Sequence, residues 1–103
     1  MRIEWHPAAL AEFVADVEWY EQREAGLGDR FEGAVLSAVD AAVQAPEAWA
    51  IWWGWDRVPA VRAKGVDGFP YRVVYVVRDH VLAVVAVAHA RRRPGYWRAR
   101  VDT

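Results

Sequence analysis

The side chains with the most chemical capacity lie late in the chain. Within AHARRRPGYWRAR stand His89, the arginines Arg91, Arg92 and Arg93, then Tyr96 and Trp97. Upstream, Arg62, Lys64 and Arg72 add cations to segments that read as strands. Guanidinium forks match phosphate oxygens, and Tyr and Trp rings stack on unpaired bases. Cleavage of RNA by a neighbouring 2′-hydroxyl needs a base for that proton, cations for the phosphorane and an acid for the leaving 5′-oxygen. His89 and Tyr96 have the chemistry to exchange those protons, with Arg72 or Arg91 holding the phosphate. Arg62, Lys64, Arg92, Arg93 and Trp97 complete the set as contacts to nucleic acid or another target. Such a reaction calls for no metal and no cofactor.

Each of these residues also has a structural use. A histidine at a strand end more often satisfies one hydrogen bond than moves protons. An arginine run by itself is more often a solvated tail, and Trp97 can fold the tail back onto a sheet. His6 and His80, at a helix start and in a hairpin turn, carry no assigned role. The acidic residues scattered over the first helix give poor support to a paired-carboxylate hydrolase.

The elements that must position these groups follow from periodicity. Arg2 to Trp5 alternates apolar and charged residues, as an edge strand does. Pro7 suits a first helical turn, and Leu10, Phe13, Val14, Val17 and Tyr20 follow at helical spacing, opposed by Glu12, Asp16, Glu18 and Glu21. Gly26 and Gly28 end this helix, Asp29 is a candidate N-cap for the next, and Phe31, Val35, Ala38, Val39 and Ala42 form its apolar face up to Pro46. A tight turn between two such helices predicts an antiparallel hairpin. Ala48 to Ala60 is dense in tryptophan without periodicity and reads as a loop. Val58 to Lys64 reads as a strand with Arg62 and Lys64 on one face.

YRVVYVV and Val81 to His89 are two further strands around an RDH turn. The last is apolar on both faces, so it belongs mid-sheet with both sides covered. Helices can cover one side; the other needs chain from elsewhere or another protein. Arg72 is expected to face away from the helices, with Arg62 and Lys64 on the same side, because a buried arginine would need a partner. The order β-α-α-β-β-β gives an α+β fold: a helical hairpin on a largely antiparallel four-stranded sheet.

At 103 residues the chain makes one domain, and 55% hydrophobic with 26% charged residues excludes a disordered one. Seven tryptophans are many for this length, so some are expected on a surface that a partner covers. The lack of cysteine removes disulfides and thiolate zinc sites and fits a cytoplasmic protein. No apolar run approaches the roughly 20 residues a membrane span needs. The net charge of -1 hides an asymmetry: Met1–Glu47 holds ten acidic residues against three arginines, and Ala48–Thr103 four against ten basic ones. One face is therefore expected to suit an anionic partner.

Three stretches, WYEQREAGLGDRF, FPYRVVY and AHARRRPGYW, resemble the RelE/ParE family of toxins from bacterial type II toxin–antitoxin systems, which includes plasmid stabilisation proteins. The resemblance covers nearly the whole chain. It implies a helical hairpin against a curved antiparallel sheet, and a cognate antitoxin that wraps the toxin with a segment disordered when free. It implies one of two targets. RelE-like members cut ribosome-bound mRNA with basic residues on the sheet and an acid/base residue near the C-terminus; ParE-like members poison DNA gyrase without a nuclease site. The RelE pattern would use Arg62, Lys64, Arg72, Arg91 and Tyr96, with His89 a further candidate. The sequence departs from it in the Trp52–Trp55 cluster and in having Lys64 as its only lysine.

Overall fold

A computed structural model describes residues 1–102. Its elements are β1 (Arg2–Trp5), α1 (Pro7–Arg23), α2 (Leu27–Gln44), β2 (Arg62–Gly65), β3 (Tyr71–Arg78) and β4 (Val81–His89), with a short 3-10 turn at Arg98–Arg100. The strands form one sheet in the order β1-β4-β3-β2, parallel between β1 and β4 and antiparallel elsewhere. The strand that is apolar on both faces does lie inside the sheet, between β1 and β3.

Local chemistry explains the helix ends. Pro7 opens α1, and His6, to which the sequence assigned nothing, accepts the Ala8 amide on Nδ1 at 3.1 Å as an N-cap. Asp29 proves to sit in the first turn of α2 rather than at its cap. The carboxylate of Glu21 takes over, accepting the amides of Gly26 and Gly28 at 2.9 and 3.0 Å, and these hydrogen bonds hold its pKa below the ordinary range. Gly28 is where the helices meet: a Cβ there would lie 2.6 Å from the Val17 carbonyl oxygen.

The buried stripe of α1 is turned from the expected one. Ala9 and Phe13 are buried and Val17 and Tyr20 half-buried, whereas Leu10 and Val14 stand about half in solvent. Glu12 and Asp16, read as outward-facing, are half-buried instead. The hairpin covers one face of the sheet, where Phe13, Phe31, Val35, Tyr71, Val73, Tyr75, Leu82 and Val84 form the larger core.

The second face has its own core, supplied by the chain itself. Trp97 and Val101 fold back onto Val74, Val76, Val85 and Ala86, and Trp52 and Trp55 pack around them. Trp52 meets Trp97 edge-on at 5.0 Å, and Trp55 lies 6.0 Å from it. Three of the seven tryptophans thus build this second core. An irregularity at Val74/Tyr75, opposite Val84 and Ala86, leaves Val85 as the extra residue of a bulge. The strand expected from Val58 starts only at Arg62, and Val58 is almost fully exposed.

Candidate functional site

Cross-strand register decides which cations can meet. Side chains directly opposite in an antiparallel pair share a face. Arg62 stands opposite Tyr75 and Lys64 opposite Val73, and both partners belong to the helix-side core. Arg72 stands opposite Gly65 and Ala88, and its guanidinium lies 4.7 Å above Trp52 on the outer face. The expectation that Arg62, Lys64 and Arg72 share one face is corrected: they lie on opposite sides of the sheet.

On the helix side, Arg62 donates to the carbonyls of Glu47 and Trp49 at 3.2 and 2.8 Å and so orders the exit from α2. Tyr75 reaches the same turn by donating its hydroxyl to Pro46 O at 2.7 Å. Lys64 donates to Gly65 O at 2.9 Å and sits 4.8 Å above the Trp49 ring. The half-buried Arg62 can face the helices because backbone carbonyls serve as its partners.

The centre of the tail is a carboxylate the sequence did not single out. Arg100 donates to both oxygens of Glu12 at 2.8 Å and to Val85 O at 3.2 Å. The Tyr96 hydroxyl donates to Glu12 at 3.2 Å, and Arg92 approaches to 3.8 Å. Arg92 and Arg100 also lie over the Tyr96 ring, at 4.0 and 5.2 Å. Burial favours the protonated form of Glu12, but the Arg100 hydrogen bonds and charge outweigh it and hold the pKa below its ordinary value. Burial, then the Glu12 charge, pushes the Tyr96 pKa up. No sequence signal marks Glu12, since Arg100 lies 88 positions away.

Beside this clasp an open cleft of about 420 Å³ runs between α1 and the adjoining ends of β3 and β4. His89, Tyr96 and Arg92 line it together with Glu12, Asp16 and Tyr71. His89 meets Tyr71 edge-on at 4.9 Å and accepts the Arg91 amide on Nδ1 at 3.0 Å. Burial raises the pKa of Asp16, with Glu12 adding to the effect against a hydrogen bond from Tyr71. Burial, then the Asp16 charge, raises that of Tyr71 as well.

The outer face gathers several of the remaining cations. Arg72, Arg92 and Arg93 border a shallow depression with Trp52 and Gly95. The Arg91 and Arg93 side chains are exposed, and among the described residues no carboxylate pairs with Arg72, Arg91, Arg93 or Arg98. Trp97 cannot touch a target, being wholly buried as the block on which the tail packs. Among the described residues no three His, Asp or Glu side chains gather as metal ligands, and no helix is long and apolar enough to cross a membrane.

A helical hairpin on a four-stranded sheet, closed below by a C-terminal tail, is the architecture of a known toxin class. The chain superposes on a solved structure described as the chromosomal ParDE TA system from P. aeruginosa, with TM-score 0.69 and 17% identity over 88% of this chain and 97% of that one. Among curated proteins none matches its sequence significantly. Residues 3–94 match the family model of the ParE toxin of the type II toxin–antitoxin system parDE, and the chain belongs to that family.

Proposed function

We propose that this toxin, held by an antitoxin partner, arrests growth by trapping DNA gyrase and not by cutting mRNA. The observation that carries this reading is the division of the cations: Arg62 and Lys64 lie on the helix side of the sheet and Arg72 on the other. A phosphorane needs its cations around one phosphate. The proton-transfer candidates are also poorly disposed. The Tyr96 hydroxyl is engaged by Glu12, and its raised pKa keeps it protonated near neutrality, so no phenolate is at hand to act as a base. His89 shares its cleft with Asp16, whose carboxylate has no arginine partner among the described residues and repels a phosphate. The unpaired arginines of the outer face suit a binding role, steering and gripping a target.

The test is inducible expression without the antitoxin, with simultaneous readouts of transcript integrity and of the DNA-damage response. Intact transcripts with a strong damage response are expected. New transcript ends without a damage response would overturn the reading in favour of the ribosome-bound mRNA target.

A further inference from the structure

The two edges of the sheet are finished differently. Along β2 the preceding loop gives cover: Ile51 bridges to Arg62, the Trp52 amide donates to Val61 O at 2.7 Å, and the Ala63 amide to Ala50 O at 3.1 Å. β1 ends the other side and pairs with β4 alone. The amides of Arg2 and His6 donate inward, to His80 O at 3.2 Å and Val84 O at 2.9 Å. Successive residues of a strand turn their backbone groups to opposite sides, so the N–H and C=O of Ile3 point away from the sheet. Arg2, Ile3 and Glu4 are all exposed, Ile3 at 42%. A bare row of this kind is a template for another strand.

The side chains select the strand. Arg2 and Glu4 lie in register with Val81 and Ala83, and these four border a groove on the outer face of the sheet. Their own ion pair, 2.7 Å long, is exposed at both ends, so little is lost when they exchange partners. Ile3, in register with Leu82, takes the helix side. A second β1 can lie antiparallel to the first with its Ile3 opposite this one. The outward backbone groups of the two isoleucines then form a hydrogen-bonded pair, and Arg2 of each copy stands opposite Glu4 of the other. Those flanking pairs are of the closer, non-hydrogen-bonded kind, which brings opposite charges together. One register thus satisfies backbone, charge and apolar contact at once. β1 is short, as guarded edges are, but it carries neither lysine nor proline, and its charges attract a second copy instead of repelling it.

We propose that β1 is a self-pairing edge: two copies of the chain join antiparallel about Ile3, with reciprocal Arg2–Glu4 ion pairs, and their four-stranded sheets become one. This goes beyond the gyrase reading and stands without it.

The full chain, freed of antitoxin, is followed by sedimentation from about 5 to 500 µM. So short a strand buries less than a standard interface, and dimers are expected to build up toward the upper end of that range. Arg2→Glu makes the strand doubly acidic and Glu4→Arg doubly basic, so each variant alone should self-associate about ten-fold more weakly. Mixed in equal amounts, the two variants should recover wild-type association as heterodimers, because every facing pair is again opposite in sign. Ile3→Pro removes only an outward amide and keeps the β1–β4 hydrogen bonds; it should abolish the dimer with the circular dichroism unchanged. A chain that is monomeric at every concentration would overturn the proposal. Self-association indifferent to both charge variants, or a mixture no stronger than its parts, would do the same. So would hydrogen-exchange protection of Ile3 that arises only when antitoxin is added, which would give the edge to an antitoxin strand. None of these outcomes bears on the damage response in cells, so the two readings fail separately.

Discussion

At the scale of single residues, Glu12 ties the basic tail to α1. Its carboxylate joins α1 to Arg100, Tyr96 and Arg92, and its side chain is only 20% exposed beside an Arg100 that is 17% exposed. Removing its charge takes away the carboxylate that the largely buried Arg100 guanidinium grips with two hydrogen bonds. Glu12→Gln should therefore lower stability by about 1–3 kcal/mol at neutral pH, measured by urea unfolding. The pH dependence has a definite sign. Because the folded-state pKa is lowered, the contribution is complete above the ordinary glutamate value of about 4.3 and fades as pH falls through the lower folded value. The gap between wild type and variant should close over that acidic range. A gap that persists unchanged into strong acid would show that charge is not what Glu12 supplies.

At the scale of elements, the helical hairpin and the four strands were legible because periods of 3.6 and 2 are local properties of the sequence. Which face Arg62 and Lys64 take was not legible, since it depends on the pairing of β2 with β3. The general cost of burying an arginine argued for the wrong side, because the carbonyls of Glu47 and Trp49 that receive Arg62 become available only once α2 has ended. Trp97 was legible as a folding residue and as a contact, and register with the second core decides for folding. Glycines show the same contrast within one helix. Gly28 is pressed against α1, whereas Gly33 has nothing within 4 Å of an added Cβ. Gly28→Ala should cost about 1–3 kcal/mol, and Gly33→Ala should stabilise by about 0.5–1 kcal/mol, both read from urea midpoints. The reverse order would contradict the close crossing at Gly28.

At the scale of the whole molecule, the acidic first half and basic second half meet inside the protein before they meet a partner. Part of the charge asymmetry is consumed by the Glu12–Arg100 clasp, and part by Arg62 and Lys64 on the helix side. In the tail and on the outer face, Arg72, Arg91, Arg93 and Arg98 keep no carboxylate partner among the described residues. The surface that the tryptophan count led one to expect narrows to Trp53 and the half-exposed Trp19, because Trp52, Trp55 and Trp97 cover the second side of the sheet and Trp5 and Trp49 pack on the first. In the gyrase-trapping reading proposed above, the outer arginines grip the target and the cleft beside His89 is no reaction centre.

The most direct measurement of that claim is growth arrest by the His89→Ala, Tyr96→Phe double variant expressed without antitoxin, with folding checked by circular dichroism. Both substitutions remove proton-transfer groups while leaving Arg72, Arg91, Arg93 and Arg98 in place. Arrest as deep as that of the wild type is expected. A folded double variant that no longer arrests growth, with transcripts that the wild type cuts left whole, would contradict the account.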